Sequence, residues 1–118
     1  MSDPSKSYQD QLRLLRLAFL ESCVSRGQLI EAVYKQLQQE PDGSASVALV
    51  QNLCHETHKL TGAAGSFGFQ PLSDMARQVE QRCSTLLTRN AAPDASDLTL
   101  VEKLLQQIRE VVHIAGDQ

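Results

Sequence analysis

The sequence predicts an all-α protein: an antiparallel four-helix bundle with an additional short N-terminal helix. Apolar residues recur at helical spacing through most of the chain and nowhere alternate as along a half-buried strand. Good helix formers dominate, namely leucine, alanine and glutamine, while aromatics make up only 4% and Trp is missing. The periodic segments are similar in length and joined by short loops, which favours antiparallel neighbours. At 118 residues the chain suits one domain, placed at 7–116 behind an expected disordered start at 1–6.

The first amphipathic pattern passes through Tyr8, Leu12, Leu15, Phe19 and Cys23 and predicts a helix near 7–24. At "SRGQ", Ser25 and Gln28 have capping-box spacing and Gly27 weakens a continuous helix. A second helix is therefore expected near 26–39, carrying Leu29, Ile30, Val33 and Leu37; a single bent helix is the alternative. "EPDGSAS" (40–46) is a turn by composition, ending in serines able to cap the next helix. The third helix, from about Val47 to Gly65, places Val47, Val50, Leu53, Cys54, Thr57, Thr61 and Ala64 on one face. It ends in "GSFGF" (65–69), whose glycines suit a left-handed cap, and Pro71 fits the first turn of the fourth helix. That helix carries Leu72, Met75, Ala76, Val79, Cys83, Leu86 and Leu87 on its apolar face. After the loop "NAAPDASD" (90–97), the last helix places Leu98, Val101, Leu104, Leu105, Ile108, Val111 and Val112 inward.

Several function classes fall away on composition. The net charge is −3 with no basic block, so neither nucleic acid nor a membrane surface is an expected partner. No apolar run approaches the roughly 20 residues of a membrane span, and the polar N-terminus does not read as a signal peptide. Cys23, Cys54 and Cys83 are odd in number, form no CxxC pair and fall at helical apolar positions. They read as reduced, buried thiols of a soluble, cytoplasmic protein.

The chemistry-bearing stretch is "LCHETHKLTGAAGSFGF" (53–69). A zinc-protease helix needs two histidines four residues apart around a glutamate. Here His55 and Glu56 begin that pattern, but His58 follows after only three. Cys54 and His58 have the i, i+4 spacing, yet Cys54 lies on the apolar face and four ligands are not in view. No metal and no cofactor are expected.

Helix geometry separates the two histidines. With the apolar face centred on Val50, Thr57 and Thr61, His58 lies about 80° from the centre and His55 about 140°. His58 therefore stands at the border of the buried stripe, with one ring nitrogen able to face water. Gly62 lies one turn beyond it, about 120° from the centre. A side chain there would overhang the ring, and clearance for an approaching body accounts for a mid-helix glycine. On the neighbouring helix, Glu80 also lies at an apolar border, one step past Val79. Both residues stand roughly 15–18 Å from the bend near Gly68, so the two borders can meet. A carboxylate accepting the Nδ1–H would fix the tautomer and leave Nε2 as a free nucleophile.

The segment "HKLTGAAGSFGFQPLSDMARQVE" (58–80) closely resembles the core of the histidine-containing phosphotransfer (HPt) family. The pattern is a histidine, then leucine and a glycine, a second glycine six residues later, and a leucine-rich helix ending in a valine or leucine and glutamate. His58, Leu60, Gly62, Gly68, Leu72, Val79 and Glu80 fit it. The resemblance implies a phosphorelay carrier and not an autonomous enzyme. His58 would accept a phosphoryl group on Nε2 from a receiver-domain aspartate or a kinase and pass it to another receiver. Glu80 would orient the imidazole, and the receiver would supply Mg²⁺ and most of the transition-state stabilisation. The outward column Gln51, His55, His58, Gly62 and Ser66 would be the docking face for receiver domains of response regulators and hybrid kinases. The resemblance also implies a monomer.

One position departs from the family. A lysine usually stands three residues after the histidine, whereas this chain has Thr61. Lys59 and Arg77 are the nearby cations left to balance the roughly −1.5 to −2 charge of a phosphorylated side chain. The competing function is a non-catalytic helical module, a degenerate HPt relative that binds receivers or dimerises without relaying.

Overall fold

The computed structural model describes residues 4–116. Four helices, α1 (Pro4–Gln39), α2 (Ser46–Ser66), α3 (Gln70–Arg89) and α4 (Ala95–Gly116), pack as a bundle. Of the expected disordered start, residues 1–3 lie outside the described residues, while 4–6 belong to α1.

The additional short N-terminal helix is not seen. The segments expected at 7–24 and 26–39 form one helix of 36 residues, with no break at Gly27. A glycine costs a helix about 1 kcal/mol, which the strong helix formers on either side readily offset. Its role is long-range: a Cβ at Gly27 would stand 3.3 Å from Cγ2 of Ile108, so glycine lets α4 approach α1. Beside it, Arg26 donates to the Glu56 carboxylate at 2.8 Å and ties α1 to α2.

The core joins one stripe from each helix. Phe19, Cys23, Ile30 and Leu37 of α1 meet Val50, Leu53, Leu60 and Ala64 of α2. Leu72, Ala76, Val79 and Cys83 of α3 and Val101, Leu104, Leu105 and Ile108 of α4 complete it. All but Leu60 lie on the faces that periodicity assigns; Leu60, fully buried, shifts the inward face of α2 away from His58. Five residues expected to point inward do not: Tyr8, Leu12, Leu15, Leu29 and Val47 are exposed. For Tyr8, Leu12 and Leu15 the reason is that α1, at roughly 54 Å, outruns α2 at roughly 32 Å. The bundle ends where Phe19 stacks on Phe67 and Phe69, at centroid distances of 4.9 and 5.3 Å. The molecule consequently measures 61 × 25 × 21 Å.

The turns that set the α2–α3 hairpin follow from local chemistry. Gly68 adopts φ +81°, and the amides of Gly68 and Phe69 donate to the carbonyls of Gly65 and Ala64 at 3.2 and 2.8 Å. These are the paired bonds of a Schellman cap, with glycine at its left-handed position. Pro71 then sits in the first turn of α3. Asn90, φ 51°, closes α3 in the same way through the amides of Asn90 and Ala91. The serines before α2 do not cap it: Ser46 is buried and donates to the Pro41 carbonyl at 2.6 Å, pinning the turn. At the start of α4, Asp94 and Asp97 exchange side-chain-to-amide bonds of 2.8 and 3.0 Å, a reciprocal cap. Arg82 of α3 donates to Asp97 at 2.6 Å and fastens the two helices together.

Candidate functional site

The site rests on the close pairing of α2 with α3. Small residues make it possible, because Thr57, Ala64, Ser73 and Ala76 are all buried between helices. The Ser73 hydroxyl donates to the Thr61 carbonyl at 2.8 Å, and a Cβ at Gly65 would stand 3.3 Å from the Ser73 hydroxyl oxygen. Thr57 satisfies its buried hydroxyl by donating to the Leu53 carbonyl at 2.8 Å, and Thr61 does the same to Thr57 at 2.8 Å. Such short side chains allow two borders of neighbouring helices to face each other within hydrogen-bond reach.

On those borders the structure brings His58 and Glu80 together. Nδ1 of His58 and Oε2 of Glu80 lie 2.5 Å apart. The histidine side chain is 76% exposed and that of Glu80 only 21%. An ionised carboxylate can only accept, so the proton of this bond belongs to Nδ1. Among the described residues no hydrogen bond engages Nε2. The arrangement holds the ring from one side and presents its second nitrogen outward.

Gly62 stands one turn beyond this ring, and a Cβ added there meets nothing within 4 Å. Internal packing therefore makes no demand for glycine at this position, in contrast to Gly27 and Gly65. Gln51, His55, Gly62 and Ser66 are all exposed with His58, as the outward column requires.

The cations are placed less decisively. Lys59 is exposed, and Arg77 pairs with Asp74 on its own helix at 3.6 Å. Neither is hydrogen bonded to His58 or Glu80 among the described residues. Thr61 is half-buried with its hydroxyl turned to the helix backbone. Cys23 and Cys83 are buried and Cys54 half-buried. Burial pushes the Cys23 thiol up to about 11 and the Cys83 thiol up to about 12. Among the described residues no three His, Cys, Asp or Glu side chains gather as a metal site.

Two supporting contacts were not expected from sequence. Glu56, between the two histidines, is engaged by Arg26, and Ser73 bridges to Thr61. Each partner lies 12 or more residues away, and local periodicity carries no signal for such pairs.

The bundle thus presents one exposed histidine held by a carboxylate of the neighbouring helix. A family model for the Hpt domain matches residues 13–111, and the chain belongs to the Hpt domain family. Membership gives it the family's role as a histidine phosphotransfer carrier in a phosphorelay, interacting with receiver domains. Hpt domains are phosphocarriers and generally not autonomous enzymes. No curated protein and no solved structure matches the chain. No helix among the described residues is long and apolar enough to cross a membrane.

Proposed function

We propose that His58 is the phosphoacceptor and that its Nε2 takes the phosphoryl group from a receiver-domain aspartate or a kinase and returns it to another receiver. The observation that carries this reading is the bond between Glu80 and Nδ1 of an otherwise exposed ring. In the forward step the Nε2 lone pair attacks phosphorus, the N–P bond forms, and the P–O bond to the donor carboxylate breaks. Positive charge then builds on the imidazole, because Nδ1 keeps its proton. The Glu80 carboxylate lies where that charge develops and lowers its cost. Transfer onward reverses these events on a second receiver.

Receivers approach over the column Gln51, His55, Gly62 and Ser66, where Gly62 leaves room above the ring. Such a contact is small, below about 1,200 Å² in total, as suits a partner that must be released. Lys59 and Arg77 balance the phosphoryl oxygens, Lys59 by curling its stem back over α2 and Arg77 after leaving Asp74. Thr61 in place of lysine favours the second reading, a module that binds receivers without relaying.

The test is phosphoryl transfer at neutral pH from a panel of phosphorylated receivers to the wild-type chain and to His58→Gln. Intact mass is read without acid, since the N–P bond is acid-labile. A carrier shows the adduct on wild type alone. A receiver that binds both chains equally and phosphorylates neither would establish the binding module instead.

A further inference from the structure

The overhang of α1 does not account for Leu29, which lies well inside the bundle. It follows Arg26, which reaches Glu56 of α2 at 2.8 Å, and directly precedes Ile30, which is buried. Yet Leu29 is 54% exposed. It forms one wall of a groove of about 130 Å³ between α1 and α2. Ile30 and Leu53, both buried, make the floor, and Asn52, His55 and Glu56 stand on the α2 side. A cavity of about 150 Å³ holds a benzene molecule, so this groove has room for one apolar side chain and not for a helix.

We propose that the groove is a docking anchor that takes one aliphatic or aromatic side chain of the receiver meeting His58, and so selects among receivers. The anchor rests on the carrier reading of His58 and adds a second point of attachment beside the outward column.

Position is the first argument. Asn52, His55 and His58 are spaced by three, and each step turns about 60° round α2 and rises about 4.5 Å. His55 therefore stands midway, with His58 toward α3 on one side and the groove toward α1 on the other. It belongs to both, as a member of the column and a lining residue of the groove. Asn52 and His58 lie only about 9 Å apart along the axis. A contact of roughly 600 Å² on each partner covers both.

Comparison with other grooves is the second. One of about 360 Å³ is lined by residues of α1 and α4 alone, whereas His58 and Glu80 belong to α2 and α3. One of about 180 Å³ surrounds Val47 at the start of α2, roughly 16 Å along the helix from His58. Of these three, the Leu29 groove alone shares a residue with the column.

Chemistry is the third. Glu56 on the rim is fixed by Arg26, so the groove is formed before a partner arrives, which favours binding. An apolar group entering it leaves water and covers Leu29. A charged group would be desolvated against Leu53 with no gain in return. Receivers presenting an apolar residue at this point are therefore preferred to those presenting a charge.

The test uses the full chain and the receiver domains of its source organism. Single-turnover transfer from phosphorylated receivers is followed at rising receiver concentration for wild type, Leu29→Asp, Leu29→Met and Leu17→Asp. Leu17 is a control of similar exposure, 50%, on the projecting part of α1. For the receiver that wild type serves best, Leu29→Asp should raise the half-saturating concentration about tenfold or more, while the rate at saturation and the thermal midpoint hold. Leu29→Met, which keeps an apolar group of similar volume, should recover most of the loss, and Leu17→Asp should track the wild type. A Leu29→Asp chain that half-saturates like wild type overturns the anchor. So does an equal loss in Leu17→Asp, which would trace the effect to added charge. Phosphoramidate, a small phosphoryl donor that needs no docking, separates the two readings. If it labels wild type and not His58→Gln, yet no receiver saturates, the anchor falls and the phosphoacceptor stands. If it labels both chains or neither, the His58 reading falls, and calorimetric titration of receivers with the same variants decides the anchor by the same tenfold criterion.

Discussion

Glu80 reaches from α3 to Nδ1 of His58 on α2, at 2.5 Å, while the imidazole keeps most of its surface in water. The partly buried carboxylate and the exposed ring divide the work. Glu80 is held by its helix and needs little reorganisation, and the ring it holds can meet a partner without moving. On the proposed reading, the pair stabilises charge that appears on the ring only when Nε2 forms a bond.

Replacing Glu80 by Gln tests that division. The amide oxygen still accepts from Nδ1, so the ring should keep its place while the negative charge is lost. A charge-assisted bond is roughly twice as strong as a neutral one, and a loss of about 1.4 kcal/mol slows a step tenfold. Single-turnover transfer from a phosphorylated receiver should fall about tenfold, with the thermal midpoint unchanged. An unaltered rate would reduce Glu80 to a bystander.

Gly62 makes two expectations of opposite sign. A Cβ there meets nothing, so Gly62→Ala should stabilise the free domain by up to about 1 kcal/mol, a rise of about 4 °C in melting temperature. Gly62→Leu, whose Cβ is equally free of clashes within the chain, should cut transfer from receivers severely by covering the ring. If Gly62→Leu relayed normally, the clearance argument for this glycine would be wrong.

What could be read from sequence, and what could not, divides by the range of the interactions. His58 and Glu80 were legible because a hairpin turns residue counts into heights, and both sit at the border of a clear apolar stripe. Gly68 was legible because a left-handed cap is a local requirement. Gly27 was misleading: locally it looks like a break, yet its reason is Ile108, far along the chain on α4. Leu12 and Leu15 show the same limit from the other side. Periodicity says which face is apolar, but not whether anything stands opposite, and there α1 has outrun its neighbours. Arg26 with Glu56, and Ser73 with Thr61, pair across helices with no local signature.

Thiol chemistry should sort the three cysteines. Burial raises Cys23 to about 11 and Cys83 to about 12, which leaves almost no thiolate near pH 8. Cys54 is also raised, by burial and then by the Glu80 charge, but it is half-buried. A disulfide-exchange reagent at pH 8 should therefore release about one equivalent from the native chain, from Cys54, and the rest only in denaturant. Rapid release of all three would mean that the core opens far more readily than its packing implies.

The acid limit of stability should involve Asp94. The Ser96 hydroxyl, and then the Asp97 amide, hold its carboxyl below the ordinary carboxylate value. A depressed folded value means that its contribution is complete above the unfolded value of about 3.9 and lost as pH falls through the lower folded one. Asp94→Asn keeps an acceptor for the cap but no charge. The gap in unfolding midpoint between this variant and wild type should narrow as pH falls from about 5 to about 2.5. A gap independent of pH would remove the charge from the account. Asp97→Ala, which loses both its reciprocal cap bond and the Arg82 pair, should lower the midpoint by several degrees at neutral pH.

Thr61 offers the sharpest test of how this carrier manages phosphoryl charge. It stands one turn after His58, half-buried, with its hydroxyl bonded to the Thr57 carbonyl. A lysine at this position can run its stem along α2 and bring its ammonium out beside the ring. A partly exposed ion pair is worth up to about 1 kcal/mol, so Thr61→Lys should speed transfer and lengthen phosphohistidine lifetime by about two- to fivefold. If Lys59 now fills that role, Lys59→Ala should slow transfer by a similar factor in the wild type and by less in the Thr61→Lys background. Such non-additivity is the mark of two groups serving one charge. Equal losses in both backgrounds would place the two cations at separate tasks, and no loss in either would leave Lys59 merely solvated.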